Sequence, residues 1–181
     1  MRRGARRLAA VVPALALLLA ACGGSSSPSA PRRGVIFTPQ GTPGANSIFL
    51  SQNPASNEDR LFLDVRANEV TNLFGINLEI AYPRAVLQYA AASEGDFLAG
   101  PNNVGTSFVV AEPAQGELVI GLTRLRDVQG RSGSGVLCTL EFALPASGTG
   151  SFTFLDTEAF RPGPTLDPGV TWLAGSVQVT R

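Results

Sequence analysis

The side chains able to do chemistry in this 181-residue chain are few, and histidine is not among them. Without histidine the commonest general base and zinc ligand are missing, so Ser-His-Asp and Cys-His arrangements are impossible. A glycosidase would need two carboxylates facing each other across a cleft, but the 14 acidic residues are scattered, mostly on turns or outward strand positions. The glycine-rich residues 130–135 lack the lysine of a phosphate-binding loop, which favours a hairpin turn. The sequence therefore predicts a protein that is not an enzyme.

Cys22 has the most specific setting of any reactive residue. Residues 1–7 carry four arginines, and the apolar run 8–21 is shorter than the roughly 20 residues that span a bilayer. Leu19-Ala20-Ala21 leads directly into Cys22, a pattern that resembles the lipobox of bacterial lipoproteins. The resemblance implies that residues 1–21 are a signal peptide removed before Cys22 and that a lipid is attached to its thiol. The alternative is an ordinary signal peptide followed by a coincidental cysteine.

Lipidation at Cys22 predicts a location in the cell envelope, because two or three acyl chains anchor a protein firmly. No aspartate directly follows Cys22, and such an aspartate is the inner-membrane retention signal of some Gram-negative bacteria. An outer-membrane or cell-surface address is therefore favoured. Removal of residues 1–21 takes four of the 14 basic residues and none of the 14 acidic ones, so no basic face for nucleic acid is expected.

The second cysteine, Cys138, has no partner for a disulfide if Cys22 carries a lipid. In residues 136–144 it alternates with Val136, Leu140 and Phe142, as an inward-facing strand residue would. A buried cysteine behaves as a small apolar residue. We therefore interpret Cys138 as a structural core residue, with a reactive thiol as the alternative.

The elements that position these residues follow from composition and periodicity. Residues 22–45 are rich in Gly, Ser, Pro, Thr and Ala, which predicts a flexible tether, with residues 35–37 adding a short edge strand. After Asn46 the apolar residues recur with the period of two that is typical of half-buried strands. Nine strands are predicted, at residues 48–50, 61–67, 74–82, 86–89, 107–111, 117–125, 136–144, 151–155 and 176–180.

Nine short strands with one apolar face each fit two sheets packed around a single core. The predicted fold class is therefore all-β, a nine-stranded jelly-roll β-sandwich over residues 46–181. The clearest strand is 74–82, in which Asn77 and Glu79 face outward. Its predicted inward residues are Phe74, Ile76, Leu78, Ile80 and Tyr82.

Three segments of the chain, in order, carry a family pattern. Residues 72–87 run from a strand through Tyr82 and Pro83 to Val-Leu, residues 94–98 read Glu-Gly-Asp-Phe-Leu, and residues 133–137 read Gly-Ser-Gly-Val-Leu. Together they resemble the cohesin family, whose modules bind dockerins in cellulosomes. One feature departs from the family pattern, because no aspartate lies between Tyr82 and Pro83.

The cohesin resemblance implies a non-catalytic module that presents a sandwich face to a protein partner, dockerin-like or other. Cohesins that bind dockerins carry polar side chains on the outward face of the strand matching 74–82, so Asn77 and Glu79 are the expected partner-binding residues. One alternative is a carbohydrate-binding lipoprotein linked to polysaccharide degradation. A second is a structural envelope lipoprotein without a discrete ligand.

Two further groups are weaker candidates for ligand binding. Trp172 is the only tryptophan, and we favour core packing for it over stacking on a sugar. Asp156, Glu158 and Asp167 fall in one loop-rich region and have the oxygen atoms that calcium prefers, but their spacing matches no EF-hand. Solvated loop charges are the favoured interpretation, so no cofactor is expected beyond the lipid on Cys22.

Overall fold

The computed structural model describes residues 33–100, 102, 105–125 and 129–181. Cys22, the proposed signal peptide 1–21 and most of the tether 22–45 lie outside the described residues. The part that is described consists of strands and turns and contains no helix long and apolar enough to cross a membrane.

Twelve strands make up the described fold. They are β1 (Gly34–Pro39), β2 (Ser47–Gln52), β3 (Arg60–Leu73), β4 (Gly75–Ala81), β5 (Gln88–Glu94), β6 (Thr106–Ala114), β7 (Glu117–Arg124), β8 (Arg131–Ala143), β9 (Gly148–Arg161), β10 (Thr165–Leu166), β11 (Thr171–Leu173) and β12 (Gly175–Thr180).

These strands form two sheets that pack face to face. The larger sheet has the order β1-β12-β9-β4-β7-β6, with β10 paired to β9, and the smaller sheet has the order β11-β2-β3-β8-β5. The predicted all-β jelly-roll sandwich is confirmed, but the predicted count of nine strands is wrong. The strands beyond those nine are β1, β10 and β11. Strand β1 contains the short edge strand expected at residues 35–37. Strands β10 and β11 have only two and three residues, too few for a period of two to be recognised.

The core lies between the sheets and is built from the inward residues of the long strands. Leu61, Leu63 and Val65 of β3 are fully buried, as is Phe142 of β8. The Phe142 ring contacts three other aromatic rings, those of Tyr82, Tyr89 and Phe152, at centroid distances of 5.1, 6.1 and 5.7 Å. Burial of such side chains is the main stabilising term of a sandwich of this size.

Strand β4 shows the predicted alternation with one correction at its start. Ile76, Leu78 and Ile80 are buried, whereas Asn77 is exposed and Glu79 is partly exposed. Phe74 was predicted to face inward, but the strand is interrupted there, so Leu73 is buried and Phe74 is only partly buried. A Cβ atom on Gly75 would lie 2.9 Å from the carbonyl oxygen of Leu122, which fixes glycine at this close approach.

Strand β1 lies within the residues assigned from sequence to the tether. It pairs antiparallel with β12, and Val35 and Phe37 are buried against the core. The side chain of Gln52 on β2 also ties β1 to the smaller sheet. It accepts a hydrogen bond of 2.8 Å from the Phe37 amide and donates one of 3.1 Å to the Val35 carbonyl. The folded sheet therefore begins before residue 46.

Cys138 is fully buried in β8, as predicted for a structural cysteine. Burial raises the pKa of its thiol to about 12, with the negative charges of Asp64 and Glu94 adding to the effect. The register shifts at this point, because Cys138 pairs with Val65 and Val136 pairs with Arg66. The residue between them, Leu137, is buried in place of Val136.

Candidate functional site on the outer face of the larger sheet

The outer face of the strands β9-β4-β7-β6 brings the two predicted partner-binding residues into one surface. Asn77 pairs with Glu158 on β9 and with Gly121 on β7, while Glu79 pairs with Asp156 and Val119. Since paired residues point to the same side of a sheet, these side chains form two adjacent rows. The outward orientation is as predicted, whereas the binding role of Asn77 and Glu79 stays a prediction.

Four carboxylates follow this face as an acidic strip, defined here as Glu79, Glu117, Asp156 and Glu158. Asn77 joins the strip, because its side-chain amide donates a hydrogen bond of 3.0 Å to Glu158 Oε2. A side-chain hydrogen bond with Glu117 raises the pKa of Glu79, and partial desolvation and the charges of Glu117 and Asp156 act in the same direction. A cationic group placed beside Glu79 and Glu117 would relieve this repulsion.

Beside the acidic strip lies an apolar hollow of about 260 Å³. Its walls include the rings of Phe74 and Phe160 and the side chain of Val109, which is 60% exposed. Gly121 opens the floor, because a Cβ atom there would meet only Asn77 Oδ1, at 3.7 Å. The remaining lining residues are Ile76, Asn77, Ser107, Leu122, Thr123 and Pro164.

Asn77 belongs to both features, since it lines the hollow and contacts the strip. Across the sheet, the surface thus offers an apolar recess, then a neutral amide and then a row of carboxylates. That combination suits a partner segment with one apolar side chain and neighbouring basic ones.

The residues that sequence reasoning missed on this face are Glu117, Gly121, Val109 and Phe160. Each lies on a strand other than β4, so its neighbourhood with Asn77 or Glu79 depends on cross-strand register. The alternation within β7 could have shown that Glu117, Val119 and Gly121 share one face. Which strand lies beside β4 could not have been read from that pattern.

Trp172 lies on the short strand β11 of the smaller sheet. Its indole is partly buried and meets the Phe154 ring edge to face, with centroids 5.8 Å apart and planes at 73°. The favoured interpretation, that Trp172 packs against the core, agrees with this contact. Its exposed part borders an open hollow, so the stacking role stays a prediction.

The three acidic residues weighed as calcium ligands have different surroundings. Asp167 is buried and forms an ion pair with Arg161, with 3.0 Å between Asp167 Oδ2 and the Arg161 Nε atom. Asp156 and Glu158 lie on β9, where they contribute to the acidic strip. Among the residues described, no group of three or more acidic or cysteine side chains is placed to hold a metal ion.

No protein-family model matches the sequence, and no curated protein matches it. Solved structures do match the fold. The second type II cohesin module of the adaptor ScaA scaffoldin of Acetivibrio cellulolyticus is 16% identical, with a TM-score of 0.58 over 72% of this chain and 87% of that one. The chain has the cohesin fold.

Two further similar structures are a non-cellulosomal cohesin and a cohesin in a complex. A non-cellulosomal cohesin of the archaeon Archaeoglobus fulgidus is 16% identical, with a TM-score of 0.54 over 82% of this chain and 92% of that one. The type II cohesin in a cohesin–X-dockerin complex of A. cellulolyticus is 14% identical, with a TM-score of 0.56 over 71% of this chain and 93% of that one. The cohesin fold therefore accounts for most of the described chain.

Proposed function

We propose that this chain is a non-catalytic, lipid-anchored binding module that presents the outer face of β9-β4-β7-β6 to a protein partner, dockerin-like or other. The observation that carries the proposal is the apolar hollow beside the acidic strip, with Asn77 common to both. The cohesin fold supports it, because one of the similar structures is a cohesin in complex with a dockerin-bearing chain. We call this surface the docking face.

The charge of the docking face favours a basic partner segment. Glu79 and Glu117 are neighbours across β4 and β7, with Asp156 on the other side of Glu79. Their mutual repulsion is an unfavourable term that a bound Lys or Arg would remove. The partner would place an apolar side chain in the hollow, against Phe74 and Phe160. Such an arrangement gives specificity through charge and affinity through apolar burial.

The test is a pull-down from the secreted proteins of the same organism with the immobilised protein. We expect the double variant Asn77→Ala with Glu79→Ala to weaken capture of the partner about tenfold or more, since it removes a charged group and the amide beside it. Val109→Asp should have the same effect by placing a charge at the apolar hollow. Capture should also fall as salt concentration rises.

The matched control is Glu58→Ala with Gln178→Ala, which removes one carboxylate and one amide at exposed positions outside the docking face. It should leave capture unchanged. A folded Asn77→Ala, Glu79→Ala variant that retains full capture would remove the docking face from the proposal. If no variant and no wild-type protein captured a partner, the structural-envelope alternative would replace the binding function.

The lipid anchor in this proposal rests on the sequence around Cys22. The basic residues 1–7, the short apolar run and Leu19-Ala20-Ala21 before the cysteine support it. An anchor at Cys22 followed by a Gly- and Ser-rich segment would display the docking face away from a membrane surface. The proposed location is the outer membrane or the cell surface.

A further inference from the structure

One part of the larger sheet has a gap between strands. Strand β12 pairs with β9 as far as Phe152, and β10 pairs with it only from Phe160 onward. Between these points no strand of the described chain pairs with β9 on that side, because the chain there forms β11, which pairs with β2 of the smaller sheet. The gap is thus a consequence of the crossover from β11 to β12.

A groove of about 540 Å³ occupies the gap, and six of its twelve lining residues have an uncharged hydroxyl or amide side chain. Thr38, Ser176 and Ser151 lie side by side across β1, β12 and β9 in exact register, and all three are exposed. The other lining residues are Pro39, Gln40, Phe152, Thr153, Phe154, Thr157, Trp172, Ala174 and Gly175. None of these lining residues carries a charge. We call this site the hydroxyl-lined groove.

Trp172 stands at the end of the hydroxyl-lined groove in a fixed orientation. Strand β11 holds its backbone beside Ile48, and the edge contact with Phe154 holds its ring. Together with Thr157 it also lines a second hollow, which contains Asp156, Glu158 and Asp167. The indole therefore borders both a neutral groove and an acidic hollow.

We propose that the hydroxyl-lined groove binds a short stretch of a neutral polysaccharide, with the exposed part of the Trp172 ring packed against one sugar. Sugar hydroxyls both donate and accept hydrogen bonds, as do the side chains of Thr38, Ser151 and Ser176. The apolar face of a sugar ring suits an aromatic side chain that is already held rigid. An acidic polysaccharide would find no cation among the lining residues of this groove. It would also be repelled by the acidic hollow that Trp172 borders.

An extended peptide is the other occupant that a free strand edge suggests. A peptide strand added to β9 would need continuous access to that edge between Phe152 and Phe160. Trp172 occupies part of the space beside this stretch, because its indole packs against Phe154 and lines both hollows that Thr157 lines. The geometry therefore favours a sugar over a strand. This inference is independent of the docking face and of the partner proposed for it.

The chain has a single tryptophan, so its fluorescence reports directly on this groove. The full-length protein would be titrated with cellohexaose, xylohexaose and mannohexaose, with trigalacturonate as the acidic arm and a hexapeptide of alternating Thr and Val as the peptide arm. We expect saturable change in Trp172 emission with at least one neutral sugar, at a dissociation constant of about 1 mM or below. No change with any of the three up to about 10 mM would overturn the proposal, as would a response to trigalacturonate or the peptide alone.

The variant Ser151→Ala with Ser176→Ala removes two exposed hydroxyls without touching the core. It should weaken sugar binding about tenfold at an unchanged melting temperature, because each lost hydrogen bond changes the affinity severalfold. The matched control, Thr71→Ala with Ser93→Ala, removes two exposed hydroxyls from the smaller sheet and should bind normally. Unchanged affinity in the Ser151, Ser176 variant would place the sugar elsewhere and overturn the assignment of the groove.

Trp172→Phe keeps an aromatic ring beside Phe154 and should weaken binding severalfold when measured by calorimetry. Asn77→Ala with Glu79→Ala should leave sugar affinity unchanged, which separates this site from the docking face. Loss of sugar binding in that variant would show that the two sites are one, contrary to the inference.

Discussion

Glu79 and Glu117 are acidic neighbours on the docking face. Hydrogen bonding to Glu117, slight desolvation and the charges of Glu117 and Asp156 raise the pKa of Glu79 above that of a free glutamate. The pKa of glutamate in an unfolded chain is about 4.3. The stabilising contribution of the protonated pair is therefore complete below that pH and is lost as the pH rises through the raised folded-state pKa.

Glu79→Gln should remove this pH dependence, since an amide keeps a hydrogen-bond donor at every pH. We expect the melting temperature of the variant to rise relative to wild type between about pH 4 and pH 7. Thermal melts at several pH values in that range would measure the difference. Glu58→Gln removes the same charge from an exposed loop position and is the control. A difference that stays constant with pH would show that the pair does not share a proton.

At the scale of the element, β4 places its two faces in different environments. Leu78 is buried and touches the core, while Asn77 is exposed and bonds only to the side chain of Glu158. Leu78→Ala should therefore lower the free energy of unfolding by about 2 to 5 kcal/mol, as expected for a large-to-small change in a packed core. Asn77→Ala should change it by no more than about 0.5 kcal/mol. Urea unfolding of both variants measures the contrast, and equal losses would mean that the strand register is wrong.

The strands that could be predicted from the sequence are those with a sustained period of two. In β4 and β7 the burial pattern follows from local alternation, because one face of each strand packs against the opposite sheet. Short strands such as β11 carry too few residues for this signal. Interruptions within a strand are also not visible in the alternation. Phe74 lies at such an interruption, so its side chain lines the apolar hollow and not the predicted core.

Sites made by several strands were less predictable than the strands themselves. The acidic strip combines residues from β4, β7 and β9, which are separated in sequence by tens of residues and are aligned only by the sheet order. The hydroxyl-lined groove depends on where β12 stops pairing with β9. Neither position is encoded in the local pattern of any one strand. The sequence singled out Asn77, Glu79 and Trp172, and it named Asp156 and Glu158 only as weak calcium candidates.

At the scale of the whole molecule, both proposed sites depend on the distance between the module and its proposed anchor. The docking face and the hydroxyl-lined groove both lie on the larger sheet, which begins at β1 with Gly34. That start leaves residues 22–33 between the proposed anchor and the first strand. Fully extended, those 12 residues would reach about 40 Å. A segment of that length would hold the first strand at most about 40 Å from the proposed anchor.

The anchor itself is tested by Cys22→Ser. The thiol of Cys22 is the acceptor that the lipobox pattern supplies, so the variant should carry no lipid and should not be cleaved before residue 22. Mass spectrometry of the purified chain would show both effects, and wild-type protein should partition into the detergent phase while the variant does not. Cys138→Ser is the matched control. Its thiol is buried in β8, so lipidation and cleavage should be unaffected provided that the domain folds. Recovery of mature wild-type protein in the soluble periplasm without detergent would contradict the anchor, and the docking face would then belong to a freely diffusing module.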